Sequence, residues 1–231
     1  RDREINSTIP FTPTVSQAIN DLPEVNHYPE LSYKDSMKVN SSKLNDYVKG
    51  LLDSNDNFSY KRIYDKNLLT SSFRTKHTTK LIERFNKTPQ GKKEPISRFF
   101  KLHPEGLCNT LRAGTPSNRG SYTSPRPIHP FTPRCITVRE AARLHSYPDW
   151  FRFHVTKWHG FRQVGNSVPP LLAKAIAKEI LKMLDISPIK PIIEYKLENE
   201  ENLSFNTSQA ATYYNISTDV IGKRIRKKQI I

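Results

Sequence analysis

The sequence predicts a mixed chain in which capped helices flank a loop-rich middle with strand-like runs. Three observations predict it. Threonines stand just before apolar helical patterns at Thr14 and Thr137. Strand-like runs flank a Pro-containing turn between Ile96 and Gly114. A broad apolar helical face begins at Val168.

The elements follow in order. In "FTPTVSQAINDLP" (11–23), Val15, Ala18, Ile19 and Leu22 fall at helical spacing, with Thr14 as cap and Pro23 as stop. From 35 to 67 the composition turns to Ser, Asn, Asp and Lys, which reads as a loop or a weakly packed insertion. "HTTKLIERFNKTPQG" (77–91) predicts a short helix with Leu81, Ile82 and Phe85 on one side. "ISRFFKLHPEGLCNTLRAG" (96–114) predicts a hairpin about His103-Pro104-Glu105-Gly106. "TPSNRGSYTSPRPIHP" (115–130) carries Arg119 and Arg126 on a Gly/Ser/Pro background. That composition fits an ordinary surface loop and a DNA-groove contact equally.

"CITVREAARLHSYPDWF" (135–151) opens a helix with a capping box, Thr137 and Glu140. Arg139 and Arg143, four apart, share a helix face, either against phosphates or in solvent. In "RQVGNSVPPLLAKAI" (162–176), Ser167 is the expected N-cap of a helix starting at Val168. Leu171, Leu172, Ala175, Ile176, Ile180 and Leu184 then form a face expected to pack in the core. Pro188 and Pro191 break the chain and residues 194–201 read as an acidic linker. Residues 207–231 resemble a small helix-turn-helix with a basic end, or a basic tail that is merely solvated.

The net charge is +15, and residues 71–163 hold eighteen Lys and Arg against five Asp and Glu, an excess of 13. A basic stripe of that density is the footprint of a polyanionic partner. Hydrophobic residues are 35% of the chain, enough for a modest core. No apolar run approaches the roughly 20 residues of a membrane span. The start, Arg1-Asp2-Arg3-Glu4, has no apolar signal core and no initiator Met, so a fragment or processed piece is expected. Cys108 and Cys135 are isolated, which argues against a disulfide framework or zinc site. No G-x-G loop occurs. His154 and His159 lack the further ligands a metal site assembles.

"RCITVREAARLHSYPDWFRF" followed by "RQVGNSVPPLLAKAI" resembles the last two conserved blocks of the DNA cytosine-C5 methyltransferases, in order and at a family-like separation. "TVSQAINDLP" resembles the segment these enzymes carry after their catalytic core, and "CNTLRAG" the Thr-Leu element of their target-recognition domain. The resemblance covers residues 14–184. It implies an α/β S-adenosylmethionine-dependent methyltransferase part: a mainly β, loop-rich recognition domain and a final helix packing on a catalytic domain.

Three family features are missing: the Gly-rich cofactor loop, the cysteine that follows a proline and attacks cytosine C6, and the Glu-Asn-Val block. Glu198-Asn199 and Glu201-Asn202 occur without the Val. The implied chain is therefore a C-terminal half or smaller subunit, partnered by an N-terminal methyltransferase half and by duplex DNA. The resemblance implies S-adenosylmethionine contact at Asn166, Ser167 and Val168, with Gly165 permitting close approach. It implies DNA contact at Arg112, Arg119, Arg126, Arg134, Arg139, Arg162 and Gln163. Among these, Arg134 and Arg139 are expected on phosphates, and the loop 114–127 on bases. The expected divisions are 1–34, 35–134, 135–185, 186–206 and 207–231, in a cytoplasmic protein of prokaryotic or phage origin. A non-catalytic DNA-binding module and a scaffold for a partner protein are the alternatives.

Overall fold

The computed structural model describes residues 12–39, 44–52, 61–63, 65, 67–115, 126–190, 192, 194–196, 208, 211–212 and 217. Its helices are α1 (Val15–Ile19), α2 (Asp46–Leu52), α3 (Thr79–Lys87), α4 (Val138–Leu144), α5 (Lys157–Asn166) and α6 (Pro170–Met183). Strands are short: β1 (Met37–Lys38), β2 (Lys61–Ile63), β3 (Leu68–Leu69) and β4 (Glu194–Lys196). β1 pairs antiparallel with β3, Met37 opposite Leu69, and β2 pairs parallel with β4. The chain packs as two units, one of Arg1–Ser59 and Asp65–Pro191, the other of Tyr60–Tyr64 and Ile192–Ile231. The expected segment 35–134 is loop-rich, but its described part holds two helices and strands of only two or three residues instead of a mainly β body. The helix-turn-helix reading of 207–231 lies almost wholly outside the described residues.

α1 starts as its sequence demands. The Thr14 hydroxyl accepts the Gln17 N–H, and the Gln17 carboxamide accepts the Thr14 N–H. The next N–H groups are taken by a remote turn: Val15 donates to the Gly106 carbonyl at 3.0 Å and Ser16 to that of Pro104 at 2.8 Å. The turn at 103–106 therefore exists, but it seats on α1 instead of joining two strands. The hairpin sits one step earlier. Lys101 N donates to Lys92 O and Glu94 N to Phe99 O, at 2.9 and 2.8 Å. Glu94 closes that turn, because its buried carboxylate accepts the Ile96 and Ser97 N–H groups as well as the Arg84 guanidinium.

α1, α4 and α5 make the main core, with Val15, Ile19, Val138, Ala141, Ala142, Phe161 and Val164 packed on Leu102 and Phe153. α4 opens with the expected capping box. Gly160 sets the α4–α5 approach: a Cβ there would lie 2.9 Å from both Val138 methyls.

The arginines of this region depart from expectation. Arg134 and Arg139, expected on phosphates, are instead buried, with their guanidinium groups taken up by internal partners. Arg134 donates to Glu24 at 2.8 and 3.0 Å and to Glu140 at 2.9 and 2.7 Å. Arg139 donates to the Thr70 carbonyl and hydroxyl and to the Phe151 carbonyl, at 3.0, 2.9 and 2.8 Å. Arg143 pairs with Asp21 and Asp149. A guanidinium has five donors in a rigid fork, so one side chain ties two remote segments to α4. The expected core face of α6 also differs. Leu172, Ile176 and Ile180 are 52, 51 and 51% exposed, and no described residue covers them. Helical periodicity reports that a face calls for burial, not what buries it.

Replacing Arg134 with Ala strands the buried Glu140 carboxylate. Loss of one partner from such a pair costs about 3–5 kcal/mol, to be read by urea denaturation. Glu140 is held down to about 2 despite its burial, by Arg134, and Glu94 to about 2 by Arg84, both from an ordinary 4.5. Their folded pKa values lie below the unfolded ones. Their stabilisation is therefore present above about pH 4.5 and fades as pH falls toward 2. Asp21, raised by burial, opposes this with one group. A stability unchanged between pH 5 and 2.5 would contradict the assignment.

Candidate functional site

The run Gly165-Asn166-Ser167 closes α5 rather than opening α6. Ser167 is the C-cap of α5, with φ −90° and ψ 160°, and its N–H donates to the Val164 carbonyl at 3.2 Å. Its hydroxyl donates to the same carbonyl at 2.7 Å. α6 starts from Pro169 with no side-chain cap, Pro170 supplying the preset φ of its first turn. The expected N-cap role of Ser167 is thus replaced by a C-cap, because Val168 and Pro169 each precede a proline and are kept out of the helix, so that α6 begins only at Pro170.

Gly165 has an ordinary helical φ, so what it offers is space. A Cβ there would stand 2.5 Å from the Ala113 nitrogen and the Arg112 carbonyl carbon. The backbone of "CNTLRAG" therefore lies directly on the last turn of α5. Asn166 is exposed beside it, and its side-chain amide has no partner among the described residues. Val168 is exposed.

α4 supports the turn from the other side. Leu171 N donates to the Ser146 hydroxyl at 3.1 Å, and Ser146 adopts a left-handed φ of 60°. His145, the C-cap of α4, has Nδ1 3.3 Å from the Ser167 hydroxyl. The Ser167 proton goes to Val164, so the His145 Nδ1–H donates. Burial lowers the His145 pKa and keeps the ring neutral. Neither His145 nor Ser146 is legible in the sequence, because both act through a cap and a turn.

The DNA-facing candidates are dispersed. Arg112 is exposed on the segment against Gly165. Arg119 lies outside the described residues. Arg126 is half-buried, its guanidinium 5.2 Å from the centroid of Phe161. Arg162 is half-buried and Gln163 exposed, the Gln163 oxygen accepting the His154 N–H at 2.8 Å. Arg134 and Arg139, as described, are interior. Burial pushes both Cys108 and Cys135 up to about 12, so each thiol stays protonated. His154 and His159 lie 4.8 Å apart by ring centroids, and no cluster of three or more metal-ligating side chains occurs among the described residues. No described helix is long and apolar enough to cross a membrane.

Comparison with known proteins gives the class. The C-5 cytosine-specific DNA methylase family model matches residues 7–182, and this chain belongs to that family. It is 50% identical over 216 residues to the Type II methyltransferase M.XorII of Xanthomonas oryzae pv. oryzae, covering 92% of this chain and 51% of that protein. It is 42% identical over 71 residues to DNA (cytosine-5)-methyltransferase 2 of Arabidopsis thaliana, covering 28% of this chain and 5% of that one. Among solved structures it resembles a candidate DNA modification methyltransferase encoded within a prophage (E. coli). The TM-score is 0.60 at 31% identity, covering 77% of this chain and 49% of that one. The chain spans about half the length of the M.XorII protein it matches.

Gly165→Ala forces the Arg112–Ala113 backbone away from α5. Such overpacking costs typically about 1–3 kcal/mol and should lower the melting temperature. Gly50→Ala on α2, with nothing within 4 Å, is the control and should be neutral or mildly stabilising. Equal effects at the two positions would refute a close approach at Gly165.

Proposed function

We propose that this chain is the C-terminal part of a DNA (cytosine-5-)-methyltransferase. It supplies DNA recognition and one wall of the cofactor site. The observation that supports this reading is the backbone contact between Arg112–Ala113 and Gly165, which brings the segment assigned here to recognition beside the turn assigned here to the cofactor. S-adenosylmethionine, when bound, supplies the methyl group. Asn166 would hold it with its unpartnered amide, and Ser167 and Val168 would complete that wall. The Ser167–Val164 and His145–Ser167 hydrogen bonds orient the turn. Duplex DNA is the substrate, with the target cytosine turned out of the stack. Arg112 and Arg119, on the recognition segment and its loop, would read bases, where a bidentate contact to guanine discriminates by about 1–3 kcal/mol. Arg162 and Gln163 would face DNA from α5. The exposed face of α6 would pack on an N-terminal half.

Cytosine C5 becomes nucleophilic only when a thiolate adds at C6. The protonated thiols of half-buried Cys108 and buried Cys135 suit that role poorly, so the thiolate belongs to the other half. The chain alone should give no methyl incorporation into duplex DNA. Mixed with an N-terminal half carrying the Pro-Cys element, it should give incorporation, and Cys108→Ser with Cys135→Ser should preserve it. DNA binding without restored transfer would favour a non-catalytic binding module. Neither activity would favour a scaffold.

Asn166→Ala separates a pocket amide from a turn former. On the reconstituted enzyme, cofactor affinity or turnover should fall about tenfold or more, equivalent to roughly 1.4 kcal/mol, while melting temperature and DNA affinity hold. A lowered melting temperature with unchanged cofactor affinity and turnover would reduce Asn166 to a structural role.

A further inference from the structure

Two cations at the N-terminal end of α5 have no counter-charge among the described residues. Lys157 is the first residue of α5, half-buried, and its ammonium donates to the Arg74 carbonyl at 3.0 Å. One of its three donors is thereby used. Arg126 lies over Phe161 of the same helix, and its Nε is buried without a hydrogen-bond partner. Both charges act on the same neighbours, His77 and Cys135, and Arg126 acts on Lys157 itself.

Those neighbours offer no negative charge. The Cys135 thiol is protonated, and its backbone N–H donates to His77 Nε2 at 3.1 Å, which fixes that nitrogen as unprotonated. The nearby Arg134 is already balanced by Glu24 and Glu140. No described carboxylate pairs with Arg126 or Lys157. The chain from Thr115 to Pro125, which leads into Arg126, contains no Asp or Glu. The N-cap Thr156 gives no side-chain hydrogen bond to the helix, its hydroxyl meeting His154 Nδ1 at 3.0 Å instead. The positive end of the helix dipole adds to the same field. Two like charges held together in partly desolvated surroundings are unfavourable unless an anion joins them.

We propose that Arg126 and Lys157 clamp one backbone phosphate of duplex DNA at the N-terminal end of α5. This rests on the proposed methyltransferase function and moves Arg126 from base reading to backbone positioning. It also gives α5 a mechanical task. Ten residues of helix are about 15 Å long, so one rigid element holds a phosphate at its start and Asn166 at its end.

The test is duplex affinity of the full chain between 50 and 300 mM KCl, with a target-containing and an unrelated duplex, for Arg126→Gln, Lys157→Gln and the double variant. One phosphate contact accounts for about 0.9 in the slope of log affinity against log salt. The double variant should lose about that much, equally on both duplexes. Lys157→Arg, which keeps the charge, should keep the slope. Inorganic phosphate should raise the melting temperature of the parent and not of the double variant, which also shows that the variant folds. An unchanged slope in the double variant, or a loss confined to one duplex, overturns the clamp and leaves the DNA reading standing. Absence of any DNA binding by the parent chain overturns the DNA reading and the clamp with it.

Discussion

Three buried guanidinium groups around α4 hold the first unit in register. Arg134 joins Glu24 across 110 residues of sequence, Arg143 joins Asp21 across 122, and Arg139 joins Thr70 across 69. α4 is only seven residues long and cannot organise three remote segments by apolar contact alone. Planar forks do it, because each fixes direction as well as distance. Such pairs add little net stability over apolar residues of like volume, since desolvation offsets most of the attraction. What they contribute is orientation. A slipped segment leaves a charge unpaired in the interior, and that error is expensive.

The same network explains what the charge count conceals. The excess of 13 between residues 71 and 163 suggests a broad cationic face. Yet Arg84, Arg134, Arg139, Arg143 and Arg152 are internally paired, three of them with carboxylates from the first 35 residues. Composition sums charges within a window and is blind to partners folded in from outside it. The capping boxes at Thr14 and Thr137 were legible because their partners lie three residues away. The buried arginines were not, because each also needs a partner about seventy residues or more away.

α5 was hidden for a related reason. Gly160 and Gly165 each cost about 1 kcal/mol relative to Ala inside a helix, and Thr156, at the N-cap, makes no capping hydrogen bond with its side chain. Local propensity therefore argues against this helix, and tertiary packing overrides it. Both glycines stand where another backbone or a branched side chain comes within 2.9 Å of the missing Cβ. The residues that obscure the helix are the ones that let it dock on α4 and on the Arg112–Ala113 backbone. The run "RQVGNS" looks like a polar loop with a helix cap because its helical character comes from its neighbours. The family resemblance singled out this turn as a candidate where periodicity could not.

From that docking a chain of constraints runs toward the exposed helix. Ser167 closes α5 and meets His145, the Ser146 hydroxyl receives the first N–H offered by α6, and Pro169 and Pro170 leave the junction little freedom. The direction of α6 is therefore set by the interior of this unit, while its apolar face is left for something else to cover. Burying such side chains is worth about 25 cal/mol per Å² of apolar surface removed from water. A stable contact there would hold α6 in place, and the rigid junction would hold the Gly165-Asn166-Ser167 turn with it. Association at α6 would thus, through the stiff junction, impose positional order at Asn166, several residues away along the chain. A flexible linker in place of the two prolines would let α6 dock and leave the turn loose.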